Sequence, residues 1–216
     1  NILNLSRKYK VKKFFYASTS SIYGDASKFP IKESFDTNKP LSFYAATKKT
    51  NEIMAYAYSE IYKMKTIALR FFTVYGPYGR PDMAIYKFTK NIIDNNTINV
   101  FNFGKHSRDF TYIDDVVQNI NKLIFSNNKE NKNFMYFNVA SGRKIPLMTL
   151  IHLIEKKLNK KAKIKYLEKQ IGDVFSTHAS NNKLLKATNY KLRTSITSGL
   201  DKYIEWFKNY DKWFKY

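Results

Sequence analysis

The chain has 216 residues, 44% of them hydrophobic, which is enough to bury the core of one sizeable domain, or of one domain and part of another. It contains no cysteine, which excludes disulfides and thiolate metal sites and is compatible with a reducing cytoplasm, the location we expect. No apolar run is long enough to span a bilayer, and the charged first residues do not resemble a secretory signal, so we expect no membrane partner.

The formal net charge of +21 suggests a polyanionic partner. However, the lysines are scattered along the whole chain among many asparagines and isoleucines, which is typical of a lysine-rich composition rather than of a binding stripe. No RNA-binding aromatic motif or zinc finger is present. We therefore expect no nucleic-acid partner. We interpret the positive charge as weakly favouring the binding of a small anionic substrate.

The first part of the chain predicts two buried strands with a helix between them. Residues 11–19 ("VKKFFYAST") are aromatic and apolar and end in hydroxyls, which indicates a buried strand that runs into a loop. Residues 21–42 are rich in turn formers and predict a long loop, at whose end Ser42 would cap a helix from Tyr44 to about Tyr62. Residues 65–72 ("KTIALRFF") predict a second buried strand, which a loop broken by Gly and Pro follows.

The rest of the chain alternates in the same way. Helices are predicted at Ala84 to Asn95, at 145–159 and at 198–210, and residues 108–125 are predicted to begin as a loop and continue as a helix. Short strands are predicted at 98–104, 134–141 and 163–169. Strands that alternate with helices predict an α/β fold with a parallel sheet, whose ligands bind at the carboxyl ends of the strands. The loops Ser18 to Gly24 and Thr73 to Arg80 lie at such ends, as does the start of the Tyr44 helix. None of the seven glycines forms a Gly-rich phosphate loop.

Four motifs follow one another along the chain: "YASTSSIYG", "YAATK", "LRFFTVYGPYGRPDMA" and "GKHSRDFTYIDD". In this order they resemble the extended short-chain dehydrogenase/reductase family, and within it the nucleotide-sugar epimerases of the uronate branch. The resemblance covers essentially the whole chain and implies a Rossmann-like parallel sheet with a small C-terminal α/β substrate-binding part. Residues 1–80 and a returning strand near 110–140 would belong to the NAD-binding domain, and 81–216 mainly to the nucleotide-sugar-binding part, interleaved with it. Against the family the chain starts late, so we expect the first strands and the glycine loop to be missing and the isolated chain to be inactive.

Tyr44 and Lys48 are the centre of the implied chemistry. On their own they are weak evidence, since Tyr and Lys are abundant and pairs four positions apart are common on helices. The resemblance assigns proton transfer to Tyr44, and it makes Lys48 both its electrostatic partner and a ligand of the nicotinamide ribose. An ammonium one turn away favours the phenolate of a group whose usual pKa is near 10, whereas Lys49 points about 100° away. The resemblance also places Thr19 on the reacting sugar hydroxyl, where a hydroxyl that satisfies loop backbone is the alternative, and Phe71 on the cofactor side.

The implied reaction is the 4-epimerisation of a UDP-sugar with NAD as cofactor. Tyr44 would take the proton of the 4-hydroxyl while hydride leaves C4 for NAD, and both would return after the 4-keto sugar has turned over. UDP-glucuronate, converted to UDP-galacturonate, is the expected substrate. Ser20 and Ser21 lie where related dehydratases and decarboxylases carry acidic residues. Ser21, Thr73 and Arg80 could hold the carboxylate, so that the 4-keto uronate keeps its carbon dioxide.

Two alternatives remain open. Arg80 can also be a surface loop arginine, although its place in "GRPDMA" favours the carboxylate role, and an epimerase of a neutral UDP-hexose or N-acetylhexosamine is the second candidate. The absent glycine loop leaves a non-catalytic, truncated remnant as the third.

Three further positions complete the substrate assignments. Arg108 in "SRDF" resembles the family's pyrophosphate-binding arginine, and Asp173 in "IGDV" resembles a contact on the nucleotide side. Phe101 lies near the place where the family packs uracil, and core packing explains it equally well. The three histidines show no ligand spacing, so we expect no metal. The resemblance also implies a homodimer of the full-length protein, through the Tyr44 helix and the helix at Ala84 to Asn95.

Overall fold

The computed structural model describes residues 1–126, 132–170 and 172–210. Its helices are α1 (Ile2–Lys8), α2 (Phe43–Tyr62), α3 (Ala84–Ile93), α4 (Ile113–Phe125), α5 (Leu147–Leu158), α6 (Asn182–Thr188) and α7 (Ile196–Tyr210). Its strands are β1 (Phe14–Thr19), β2 (Thr66–Phe71), β3 (Thr73–Tyr75), β4 (Thr97–Val100), β5 (Ser107–Tyr112), β6 (Phe134–Val139), β7 (Lys144–Pro146) and β8 (Lys163–Tyr166). Within these ranges, none of the helices combines the length and apolar character needed to cross a bilayer.

The first sheet consists of three parallel strands in the order β1-β2-β6. The central strand β2 is buried along almost its whole length, as in a parallel sheet that is covered on both faces. The strand registers place Thr19, Phe71 and Val139 side by side, so the carboxyl ends of the three strands form one edge. The predicted α/β class with a Rossmann-like parallel sheet is confirmed.

A second core lies among α3, α5 and α7. Leu150 and Ile151 of α5 and Leu200 of α7 are completely buried in it. Gly199 allows the close approach of α7 to β3, because a Cβ at this position would lie 2.0 Å from the Tyr75 hydroxyl. Around this core, β5 pairs in parallel with β3 and antiparallel with β7, while β4 and β8 form a separate parallel pair. The predicted domain boundary at residue 80 stays a prediction.

Most predicted elements are present within a few residues of their predicted ends, but residues 107–112 form strand β5 instead of the predicted loop. The strand is almost entirely buried although Ser107, Asp109 and Thr111 are polar. It therefore lacks the apolar run by which a buried strand is predicted. Three short elements were not predicted either: β3, which lies in the loop predicted after residue 72, α6 and β7, with 3, 7 and 3 residues.

Candidate active site

Helix α2 carries Tyr44 in its first turn and Lys48 one turn later. Ser42 caps the helix as predicted, because its Oγ accepts a hydrogen bond of 3.2 Å from the Ala45 backbone N–H. The Lys48 Nζ donates to the Ala17 carbonyl at 3.0 Å and lies 6.0 Å from the centre of the Tyr44 ring. Lys48 thus joins α2 to β1 near the carboxyl edge of the sheet and keeps its ammonium close to the Tyr44 ring.

Tyr44 is open to solvent, with 54% of its surface exposed. Lys49 is turned away from it and donates to the Thr37 hydroxyl at 2.6 Å. A ligand at the edge of the sheet would therefore meet Tyr44 together with Lys48, not with Lys49.

The hydroxyls that follow β1 form a short 3-10 turn, Ser20–Tyr23. The Thr19 Oγ1 accepts from the Ser21 backbone N–H at 3.2 Å and donates to the Ser21 Oγ at 3.2 Å. The buried Thr19 side chain therefore has the local backbone role that was its alternative interpretation, and its role toward a sugar stays a prediction.

One cavity of about 170 Å³ brings together five of the predicted substrate residues, which are Ser20, Ser21, Thr73, Arg108 and Asp173. They come from the turn after β1, from β3, from β5 and from the segment before α6. The cap residue Ser42 also lines this cavity, so the cavity lies next to the first turn of α2. The convergence that was predicted at one edge of the sheet is therefore present.

Arg108 is the cationic group of this cavity. Its Nη2 donates to the Asp173 Oδ1 at 2.7 Å, and its Nη1 donates to the carbonyls of Ser107 and Phe175 at 3.0 and 3.3 Å. Burial lowers the pKa of Arg108 and Asp173 opposes that effect, so the guanidinium remains charged at neutral pH. The His106 Nδ1 lies 3.5 Å from the other Asp173 oxygen, and burial lowers the pKa of this imidazole.

Six predicted residues do not line this cavity: Tyr44, Lys48 and Thr19, which are described above, and Arg80, Phe71 and Phe101. Arg80 is an exposed loop residue whose Nε and Nη2 donate to the Asp82 carboxylate at 3.0 and 2.5 Å. This pairing raises the pKa of Arg80, with a smaller contribution from the nearby Tyr44. Phe71 packs against the core of the first sheet, and Phe101 is half-buried in the 3-10 turn after β4. Their roles toward substrate or cofactor stay predictions.

A second cavity, of about 520 Å³, lies beside β1. Tyr16 and Ala17 of β1 and Lys48 and Asn51 of α2 line it. The Tyr16 hydroxyl is buried and has no hydrogen-bond partner in the described part of the chain. Lys48 therefore has a large concave space on one side and the Tyr44 ring on the other.

The histidines lie apart from one another. His152 is 2.9 Å from Glu155, and the His178 Nε2 is 3.2 Å from the Gly142 carbonyl. Among the residues that the structure describes, no three side chains of the metal-binding types cluster into a site.

A buried ion pair between Glu52 of α2 and Arg70 of β2 was not predicted from the sequence. The two side chains meet at 2.8 Å, and Ser18 of β1 donates to the same carboxylate at 2.6 Å. Two signals were available in the sequence: Glu52 follows Lys48 by one helical turn, and Arg70 is a charge within an apolar strand.

The role of Asp109 was also not predicted, although Asp109 follows Arg108 directly in the motif "GKHSRDFTYIDD". Its completely buried carboxylate accepts hydrogen bonds from the backbone N–H groups of Ser141, Gly142 and Ala179 and from the Ser141 hydroxyl, at 2.7 to 3.2 Å. Asp109 thus joins β5 to two loops that are distant in sequence.

Residues 1–140 match the model of the NAD dependent epimerase/dehydratase family. An uncharacterized protein from Methanocaldococcus jannaschii is 46% identical over 213 residues, which are 99% of this chain and 64% of that protein. A "Probable UDP-glucuronate 4-epimerase" from Rhizobium meliloti is 38% identical over 226 residues, which cover 97% of this chain and 66% of that protein. The chain thus spans about two thirds of the length of these relatives.

The fold is also similar to solved structures. The UDP-glucuronic acid 4-epimerase from Bacillus cereus, in complex with UDP-glucuronic acid and NAD, superposes with a TM-score of 0.91 at 30% sequence identity. The match covers 97% of this chain and 65% of that one. The family model and the solved structure thus identify the same kind of protein. The chain belongs to the NAD dependent epimerase/dehydratase family.

Proposed function

We propose that the protein carrying this chain is an NAD-dependent 4-epimerase of a UDP-sugar, and that it interconverts UDP-glucuronate and UDP-galacturonate. The observation that carries this proposal is the position of the Tyr44–Lys48 pair next to a polar cavity that contains Arg108. The Bacillus cereus epimerase, whose structure holds UDP-glucuronic acid and NAD, supports it.

The residues around Lys48 fit the nicotinamide side of NAD. Lys48 lines the larger cavity and lies one turn from an exposed phenol, and Tyr16 and Asn51 line the same cavity. Lys48 would hold the nicotinamide ribose, with Phe71 as a further cofactor contact. NAD, when bound, supplies an acceptor and donor for the hydride of C4.

Tyr44 would move the proton of the reacting hydroxyl. Tyr44 would act as the general acid–base group, and the Lys48 ammonium lies 6.0 Å from the centre of its ring. The phenolate takes the proton of the sugar 4-hydroxyl as C4 becomes a ketone, and it returns that proton when C4 is reduced on the opposite face. Proton and hydride are both returned, so the reaction has no net oxidation. Thr19 would hydrogen-bond the same sugar oxygen.

Arg108 would bind the pyrophosphate. Its guanidinium is held in place by Asp173 and by two backbone carbonyls, and an anionic ligand that shares it would gain charge-assisted hydrogen bonds. Ser20, Ser21 and Thr73 offer hydroxyls to the sugar in the same cavity. Phe101 would pack on the uracil, and Asp173 would contact the nucleotide.

One observation favours a second candidate, the epimerisation of a neutral UDP-hexose or UDP-N-acetylhexosamine. Arg80, the group expected to meet the substrate carboxylate, is paired with Asp82 outside the polar cavity. A neutral sugar would need no such partner. The uronate candidate requires Arg80 to exchange Asp82 for the substrate.

The first prediction concerns this choice. The protein as its gene encodes it is incubated with NAD and, separately, with UDP-glucuronate, UDP-glucose and UDP-N-acetylglucosamine, and the sugars are separated by anion-exchange chromatography. UDP-galacturonate should form fastest. Tyr44→Phe should retain substrate binding and lose about 10²–10⁴-fold in kcat, the usual contribution of one acid–base step. Faster turnover of a neutral sugar would select the second candidate, and normal turnover by Tyr44→Phe would remove the proposal.

We also propose a homodimer in a reducing cytoplasm, but with a different pair of helices from the one expected. The apolar side chains of α3 are buried in the chain's own core. Instead, α1 exposes Ile2 and Leu5, and α2 exposes Ile53 and Ile61, each with at least half of its surface in solvent. The two helices are neighbours, so α1 and α2 together form the proposed surface for a second copy.

A further inference from the structure

Glu52 and Arg70 tie α2 to the first sheet in the interior of the molecule. The Glu52 Oε1 accepts from the Ser18 hydroxyl at 2.6 Å and from the Arg70 Nε at 3.0 Å, and its Oε2 accepts from the Arg70 Nη2 at 2.8 Å. Each partner of the ion pair has only 4% of its side chain exposed. The fork-to-fork geometry fixes both the distance and the rotation of the two groups.

The contacts of Arg70 extend this connection across the sheet. Its Nη1 donates to the Tyr23 hydroxyl at 2.8 Å, and that hydroxyl donates to the Asn138 Oδ1 at 2.7 Å. Its guanidinium also lies 4.2 Å from the centre of the Tyr136 ring. Glu52 is therefore held by β1 and β2 directly, and by β6 through Arg70.

Stability alone does not account for such a pair. The free-energy cost of removing two charges from water is about as large as the free energy gained from their attraction. A protein with well-packed apolar side chains of similar volume in their place is often as stable. A buried, forked ion pair differs from apolar packing in that it is directional. It admits one arrangement of the helix on the sheet, whereas apolar side chains tolerate small slides and rotations.

This arrangement bears directly on Lys48. Glu52 is one turn, about 6 Å along the axis, beyond Lys48 on the same helix. Ser18, which donates to Glu52, follows Ala17, whose carbonyl accepts from Lys48. Two consecutive residues of β1 thus hold two consecutive turns of α2, and Thr19 comes next along the strand.

We infer that Glu52 and Arg70 are positioning residues, which hold α2 so that Lys48 and Tyr44 meet the substrate in a productive geometry. This inference rests on the proposed function. Neither residue lines the polar cavity, so they act through Lys48 and Tyr44 and not on the substrate.

The test compares Glu52→Gln, the apolar double variant Glu52→Leu/Arg70→Met and the control Glu60→Gln, which removes an exposed carboxylate from the same helix. Glu52→Gln leaves Arg70 buried without a counter-charge and should unfold more easily, whereas the double variant should recover most of the melting temperature. Displacements of about 1 Å cost on the order of 10²-fold in rate. The double variant should therefore lose at least about tenfold in kcat with KM within about threefold of the parent, and Glu60→Gln should lose nothing. A double variant with parental stability and parental kcat would overturn the inference.

Amide hydrogen exchange tests the position of α2 without any measurement of the reaction. At equal global stability, the amides of residues 46–49 should exchange about tenfold faster in the double variant than in the parent or in Glu60→Gln. Unchanged exchange in this turn would overturn the inference even if the protein epimerises UDP-sugars. If the parent epimerises none of them, the proposed function fails, and faster exchange would still show that the ion pair positions the helix.

Discussion

At the scale of single residues, the site contains charged groups that already have partners and one phenol that is free to meet a ligand. Arg108 is bound to Asp173, and Arg80 is bound to Asp82. The Arg80 pair is fully exposed, and such pairs are worth little because water and salt screen them, so a ligand can replace Asp82 at low cost. The Arg108 pair is largely removed from water, so a phosphate must share the guanidinium with Asp173 and not displace it.

His106 allows a prediction on pH. Burial lowers its pKa; the attraction of Asp173 opposes this, while Arg108 and Lys169 act in the same direction as burial. A histidine with a lowered folded-state pKa stabilises the fold above its unfolded pKa of about 6.5, and this stability is lost as the pH falls from that value toward the folded-state pKa. The melting temperature should therefore drop between pH 7.5 and 5.5, and it should drop less in His106→Gln.

The control is Lys105→Gln, which changes the exposed side chain next to His106 and leaves the imidazole in place. This variant should show the same drop as the parent. An equal drop in His106→Gln and in the parent would show that His106 does not carry the pH dependence.

At the scale of elements, the Asp109 carboxylate joins β5 to the loops at 141–142 and at 179. Burial raises the pKa of Asp109, while the Ser141 and Ala179 donors lower it. Asp109→Asn replaces one acceptor oxygen by an amide that faces N–H donors, and each buried donor left unpaired costs about 1–3 kcal/mol. We expect the free energy of unfolding to fall by about 3 kcal/mol in urea titrations.

The control for this variant is Asp114→Asn, which changes an exposed aspartate at the start of α4. It should stay within about 0.5 kcal/mol of the parent. If Asp109→Asn unfolds at the parental urea concentration, the carboxylate is not what joins β5 to the loops.

Local signals explain which parts of the fold and site could be predicted. The Ser42 cap and the length of α2 depend on neighbouring residues, and the meeting of strand ends follows from any parallel sheet, so these predictions were correct. The direction of Arg80 could not be predicted, because a loop side chain chooses among nearby partners. The partners of Asp115, in the first turn of α4, could not be predicted either: its carboxylate accepts hydrogen bonds from the Tyr190 hydroxyl and from the backbone at 193–194. Partners about 75 positions away meet only after folding.

At the scale of the whole molecule, the charge and the apolar surface are distributed differently. The excess of lysine is spread over the sequence, whereas many of the exposed large apolar side chains of the described residues lie on two adjacent helices. On α1 these are Ile2 and Leu5, with Tyr9 directly after the helix, and on α2 they include Ile53 and Ile61. The Arg7 guanidinium lies 4.6 Å from the centre of the Tyr62 ring and holds the two helices together. Exposed apolar side chains on two helices that contact each other are typical of an interface.

The last prediction concerns this patch, with a second copy as its proposed partner. Sedimentation velocity of the protein as its gene encodes it should show a dimer. Ile53→Lys places two charges in a symmetric interface, and the loss of about 1.5–3 kcal/mol of apolar burial per copy corresponds to a rise in Kd of 100-fold or more. The matched control is Lys87→Glu, which changes the charge on the exposed face of α3, the helix that was first expected to take part. A dimer that survives Ile53→Lys and dissociates with Lys87→Glu would return the interface to α3, and a parent that sediments as a monomer would remove the dimer altogether.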